Sequence, residues 1–273
     1  MKTVHTTLIG IGDLHHMKPK DVRLFDCRFD LADPDAGRKR YEADHIPFAV
    51  YVHLDDDMSG PVVPGLTGRH PLPDRAAFRR FLRANGVTPR RQVIAYDDAG
   101  GMFAARFWWM ARWAGHAATA VLDGGYAAWT DGTDEQHAAR ELSVDGVRAL
   151  SMGEVRERVD EGSWHLIDAR ADDRFHGRNE TIDPKAGHIA GAINAPFQGN
   201  LGPDGYFLPA ATLRRRFVTL FDGTVKPVAC YCGSGVSAAH NVLAMVHAGL
   251  PEPALYAGSW SEWITRSDNP TGT

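Results

Sequence analysis

The residues best equipped for chemistry lie in the run Cys232-Gly233-Ser234-Gly235-Val236-Ser237. It follows an apolar stretch, Val228-Ala229-Cys230-Tyr231, and precedes another, Ala238 to His247. An apolar strand entering a glycine- and serine-rich loop that opens a helix aims several backbone N–H groups at one point, which makes an anion cradle. A cysteine in such a loop has its thiolate favoured and becomes a nucleophile near neutral pH. The same N–H groups would hold an anionic part of a substrate. The competing reading of Cys232 is a small buried residue, the usual condition of a free cysteine. For Cys27 and Cys230 the core reading is favoured, with a redox partnership as the alternative for Cys230.

The elements that would position this loop occur twice along the chain. Val22-Arg23-Leu24-Phe25-Asp26-Cys27-Arg28 parallels His165-Leu166-Ile167-Asp168-Ala169-Arg170, each an apolar run ending in Asp-x-Arg. Asp44-His45-Ile46-Pro47-Phe48-Ala49 parallels Gly187-His188-Ile189-Ala190-Gly191-Ala192. Gln92-Val93-Ile94-Ala95-Tyr96-Asp97 parallels Pro227-Val228-Ala229-Cys230-Tyr231-Cys232, and apolar helical stretches follow at Phe103 to Trp113 and Ala238 to His247. A fourth pair is Leu122-Asp123-Gly124-Gly125-Tyr126-Ala127-Ala128-Trp129 and Tyr256-Ala257-Gly258-Ser259-Trp260-Ser261-Glu262-Trp263. Four matches in one order define an internal repeat. Buried strands alternating with helical patterns predict an α/β fold with a parallel sheet in each copy. The polar stretch Asp131–Asp145 separates the copies, giving expected domains 1–135 and 146–273. Ser151 with Glu154 three residues on predicts a capped helix start in the second.

Composition bounds the partners. The chain has 273 residues, 44% apolar and 23% charged, with a formal net charge of -4. That is ordinary for a globular protein of two medium domains. The basic residues are scattered; even Arg79, Arg80, Arg83, Arg90 and Arg91 read as the solvated face and end of a helix, so nucleic acid is not an expected partner. The start, MKTVHTTLIG, lacks the apolar stretch of a secretory signal, and no apolar run is long enough to span a membrane. With too few cysteines for a disulfide framework, the expected compartment is the cytoplasm. Neither metal nor organic cofactor is expected: the histidines lack metal-ligand spacing, and His15-His16 reads as a solvated pair.

The loop Cys232 to Ser237, the run Gly187-His188-Ile189-Ala190-Gly191-Ala192 and the run Gly258 to Trp263 together resemble the rhodanese family. Within it they are most similar to the tandem-domain 3-mercaptopyruvate sulfurtransferases. Ala190 stands where the family signature usually has proline. The resemblance covers essentially the whole chain and implies two tandem rhodanese-like domains, each a parallel sheet flanked by helices. It implies that the C-terminal domain is catalytic through Cys232 and that the N-terminal one, with Asp97 in the matching place, is not. Gly233, Gly235, Val236 and Ser237 would form the substrate-binding loop. Thiosulfate-preferring relatives usually carry basic residues where Gly233 and Ser234 stand, so an uncharged loop points to a carboxylate donor. Arg174 matches the family arginine that grips the carboxylate of mercaptopyruvate, and Arg178 is the candidate for a second arm. The family's proposed Ser-His-Asp relay maps onto Ser234, His70 and Asp55. His188, inside a structural signature, is expected to pack or cap.

The activity so implied is a ping-pong sulfur transfer. The acceptor would be a small thiol, a thioredoxin-like dithiol protein or cyanide. The alternatives are a thiosulfate sulfurtransferase and a non-catalytic binding module. A cysteine phosphatase would need arginine six positions after the cysteine, and Ala238 stands there.

Overall fold

The computed structural model describes residues 4–138, 142–221 and 223–273. The chain divides into two compact units. The first comprises residues up to Gly60, Pro73–Gly146 and Pro203–Phe207; the second comprises Pro61–Leu72, Val147–Gly202 and the chain from Leu208 on. Two short segments are therefore built into the half of the molecule other than their sequence neighbours. Hydrogen bonds account for this: the Arg69 N–H donates to Ser261 Oγ at 3.1 Å, and the Phe207 N–H donates to Asp123 Oδ1 at 3.0 Å. The polar stretch Asp131–Asp145 follows the last helix of the first unit, and its residues 139–141 lie outside the described residues.

The first unit runs β1 (Leu8–Ile9), α1 (Ile11–His15), β2 (Val22–Asp26), α2 (Ala36–Ala43), β3 (Val50–Tyr51), α3 (Arg75–Ala84), β4 (Gln92–Tyr96), α4 (Met102–Trp113), β5 (Thr119–Leu122) and α5 (Gly125–Asp131). Its strands pair in parallel in the order β1-β5-β4-β2-β3. The apolar runs are buried on both faces, as a parallel sheet requires. Ile9, Leu24, Ile94, Tyr96 and Leu122 share one apolar cluster with Ala128 of α5. α4 packs on β4 and β5 and is buried almost all round.

The second unit runs α6 (Met152–Glu161), β6 (His165–Asp168), α7 (Asp172–Phe175), β7 (His188–Ile189), β8 (Ile193–Asn194), α8 (Ala210–Thr219), β9 (Val228–Tyr231), α9 (Ser237–His247), β10 (Ala254–Leu255), α10 (Ser259–Trp263) and β11 (Thr271–Gly272). The parallel order is β10-β9-β6-β8, and a bridge from Ala149 to Leu255 extends it where β1 stands in the first unit. Each unit is thus the predicted parallel α/β sheet, with the same strand order twice. No helix among the described residues is long and apolar enough to cross a membrane.

The repeated motifs have a shared structural cause. In the first unit Arg28 grips Asp26 at 2.7–3.1 Å and donates to the Asp44 carbonyl at 2.6 Å, while the Tyr96 hydroxyl donates to Asp26 at 2.8 Å and accepts from the Ile46 N–H at 3.2 Å. In the second, Arg170 grips Asp168 at 2.7–3.1 Å and donates to the Gly187 carbonyl at 2.7 Å, while the Ile189 N–H donates to the Tyr231 hydroxyl at 3.1 Å. Asp-x-Arg, the tyrosine ending the central strand, and the backbone at the His-Ile pair form one buried knot per unit. Each knot anchors the end of the strand that carries the loop. Removing one member of such a buried pair costs about 3–5 kcal/mol, because its partner stays buried and charged. His188 packs as expected, stacked on Phe175 at 3.8 Å with Nδ1 2.9 Å from the Phe175 carbonyl.

At the start of α6, Ser151 and Glu154 form the predicted capping box. The Ser151 N–H and Arg148 hold the Glu154 carboxyl down, to about 2. Ser151→Ala is expected to cost about 1 kcal/mol in urea unfolding at pH 7. Because Glu154 is depressed from its ordinary 4.5, the stabilisation it supplies is full above that pH and fades as pH falls towards 2. The penalty of the variant should shrink over the same interval.

Candidate active site

β9 delivers Cys232 into the loop ahead of α9. The side chain is 2% exposed, and its sulfur accepts the Gly235 N–H at 3.1 Å. Gly235 has φ +79°, and a side chain there would run into the Ala257 carbonyl, so glycine is required at the position that aims this N–H. The loop is sewn to the C-terminal signature. The Cys232 N–H donates to Ser259 Oγ at 3.1 Å, and the Trp260 and Ser261 N–H groups donate to the Cys232 and Gly233 carbonyls at 2.9 Å. Ser259 does this with φ +57°, and its own hydroxyl donates a hydrogen bond to the Tyr256 carbonyl at 2.9 Å. The Gly258 to Trp263 motif therefore splints the cysteine loop. Val236 is buried and Ser237 begins α9.

Ser234 and His70 come together, with Oγ and Nδ1 2.7 Å apart and both side chains buried. Asp55 belongs to the first unit, on an exposed turn after β3, where its N–H donates to His53 Nδ1 at 3.2 Å. Arg174, on α7, stands over the loop: a Cβ built on Gly233 would lie 3.6 Å from its Nη2. It binds Glu180 through Nε and Nη2 at 2.9–3.2 Å. Burial pushes the Glu180 carboxyl up, but the bonds from Arg174 and from the Asp183 and Ile182 N–H groups outweigh it and hold the group below the usual range. For Asp183 burial wins and the carboxyl is raised, although Arg69 and Arg174 pull it down.

Arg178 is not brought to the loop, and the expectation of a second arm there is corrected. Its side chain is 63% exposed and pairs with Asp172 at the surface. Arg69 stands at the loop instead, its Nη2 2.8 Å from the Cβ position of Gly233, and bound to Asp183 through Nη1. In the sequence Arg69 carries one signal, its place directly before His70.

The first unit makes a different use of its loop. Asp97, fully buried where Cys232 stands in the second, accepts the N–H groups of Ala99, Gly101, Phe103 and Ala104 at 2.8–2.9 Å. The cradle is present and its own carboxylate fills it. Cys27 and Cys230 lie buried, and burial raises both thiols, which suits the core reading.

A Rhodanese-like domain model matches residues 13–131 and 151–266. The chain belongs to the rhodanese family. A Pseudomonas aeruginosa protein named "Probable 3-mercaptopyruvate sulfurtransferase" is 45% identical over 93% of this chain and 93% of its own length. The thiosulfate sulfurtransferase of Bos taurus is 28% identical over 90% of this chain and 86% of its own. Among solved structures, the 3-mercaptopyruvate sulfurtransferase of Leishmania major superposes with a TM-score of 0.78 at 30% identity, covering 94% of this chain and 74% of that one. The two rhodanese units are the two sequence repeats, and this chain, like those relatives, is a sulfurtransferase.

Proposed function

We propose that the chain moves sulfane sulfur from 3-mercaptopyruvate to a thiol acceptor through a persulfide on Cys232. The observation that carries this reading is the uncharged Gly233–Ser234 corner beside Cys232, with the cationic group for a carboxylate supplied from outside the loop by Arg174. The Gly235 N–H, 3.1 Å from the sulfur, holds negative charge there. The Cys232 thiolate attacks the donor's sulfur, an S–S bond forms, and the S–C bond breaks with its electron pair going to carbon. Pyruvate leaves as its enolate and takes a proton, which the Ser234–His70 pair is placed to relay. An acceptor thiolate then takes the outer sulfur and returns Cys232 as a thiolate. Small thiols, a thioredoxin-like dithiol protein and cyanide all fit this second step, and a reducing cytoplasm would supply the thiols. Residues 147–202 and 208–273 with the segment 61–72 form the catalytic half in this reading, and the first unit is structural.

Single-turnover loading from 3-mercaptopyruvate and from thiosulfate, followed by intact mass, tests it. Faster gain of one sulfur from 3-mercaptopyruvate is expected. Faster loading from thiosulfate would keep the cysteine chemistry and overturn the donor. Loading from neither would leave a binding module as the reading.

A further inference from the structure

A cavity of about 480 Å³ opens in the first unit where β2, β3 and β4 begin, at the end of the sheet away from Asp97. Val22, Leu24 and Ile46 give it an apolar floor, and the edge-to-face pair of His15 and Trp129, ring centroids 5.2 Å apart, walls one side. The matching place in the second unit holds about 70 Å³. Leu166 and Gly191 line that one as Leu24 and Phe48 line the first, so the repeat aligns the two cavities residue by residue. Val22 aligns with Trp164, and the larger side chain there accounts for the lost room. Phe48 aligns with Gly191. Both have left-handed backbone, at φ +67° and +75°. Glycine adopts it freely, whereas a phenylalanine is strained there, and with its ring 76% exposed no burial offsets the strain.

Three cations rim this floor: Lys20, Arg23 and Arg91. Arg23 Nε and Nη1 donate to the Asn85 and Phe48 carbonyls at 2.6 and 3.1 Å, and Arg91 Nε and Nη1 donate to the Lys20 and Gly86 carbonyls at 3.1 and 2.9 Å. Neutral acceptors thus fix both guanidinium groups, and Nη2 of each makes no hydrogen bond to a described residue. No carboxylate among the described residues lines the cavity. Burial first, and the Arg91 charge second, lower the Arg23 guanidinium from its usual range. In a chain of net charge -4, positive groups without a counter-charge about an apolar cavity of ligand size are the complement of an amphipathic anion. We propose that the first unit binds a small amphipathic carboxylate here, of the medium-chain or aryl class, with its head on Arg23 and Arg91 and its apolar body on Leu24, Ile46 and the Phe48 ring. Paired N–H donors on a planar fork suit that head group. The site is carried by the first unit alone, and the inference does not depend on the sulfur donor proposed above.

Calorimetric titration of the full chain with sodium octanoate tests this, with octanol supplying the tail without the charge and acetate the charge without the tail. One octanoate per chain is expected, with a Kd of about 10–100 μM. Octanol and acetate should each bind at least about 10-fold more weakly. Val22→Trp gives the first unit the filling that Trp164 gives the second, and should weaken octanoate by about 100-fold. Arg91→Gln should weaken octanoate by about 10-fold and leave octanol unchanged. A melting curve checks that each variant is folded; Arg91 is half-buried at the rim, so its variant decides the matter where Val22→Trp fails to fold. A Kd for octanoate above about 1 mM would overturn the site. So would equal octanoate binding by the parent and by either folded variant. Octanol binding as tightly as octanoate would remove the anion from the assignment and overturn it as stated.

Discussion

Cys232→Ser is expected to leave the protein folded and to lower turnover with any sulfur donor by at least about 10⁴-fold. The exchange is nearly isosteric. The bonds that hold the residue in place are made by its backbone, through the Cys232 N–H to Ser259 and the Cys232 carbonyl to the Trp260 N–H. The Gly235 N–H that meets the sulfur can meet a hydroxyl equally well. The stability change should therefore stay within about 1 kcal/mol. The chemistry has no such tolerance, because the group must store a sulfur atom between two half-reactions, and an alkoxide neither forms at neutral pH nor yields a persulfide. Intact mass after exposure to the donor, alongside a melting curve, reads both halves of the expectation. A variant that still gained sulfur would move the nucleophile elsewhere.

Asp97→Ala is expected to destabilise the first unit by about 4 kcal/mol, the larger of the two effects on folding. Its carboxylate accepts from four backbone N–H groups, two at the mouth of the loop and two in the first turn of α4. Helix N-terminal N–H groups have no partner within the helix, and these find theirs in Asp97. Alanine would leave all four without an acceptor in a place water does not reach, since Asp97 is fully buried. Each such loss costs about 1–3 kcal/mol alone, and the four share a single group, so the sum is less than additive. Asp97→Asn keeps the shape but points an amide donor at N–H donors, so it should fall between parent and alanine. Urea unfolding followed by hydrogen exchange at Ala99 to Ala104 checks this. Undiminished protection there would mean that the loop stands without its carboxylate.

Most of the fold was legible because parallel sheets write themselves as near-continuous apolar runs, and this chain writes the same order of runs twice. Phe103 to Trp113 and Ala238 to His247 read as helices because they are apolar over three turns behind a glycine-rich loop, and α4 and α9 occupy those positions. Cys232 stood out for the same local reason. What escaped was the part of the site assembled across long sequence separation. Arg69 reads locally as one more polar residue in a Pro-rich loop, and only folding sets it beside Gly233. Arg178 was the natural choice for a second arm because it neighbours Arg174 in sequence, yet the turn after α7 carries it outward to Asp172. In the sequence Asp97 marks only the absence of a nucleophile from the first copy; the structure adds that it has captured the donors an anion would use. The splint from Ser259 to Cys232 was likewise hidden, since nothing in Gly258-Ser259-Trp260 announces a positive φ on a serine.

The first unit's cradle is thus closed by a ligand it can never release. Cys27 and Cys230 are shut in the core. Although the architecture is doubled, its capacity is not. In the proposed cycle each chain then has one loading point, Cys232, and delivery would scale with the number of molecules rather than with the number of rhodanese units.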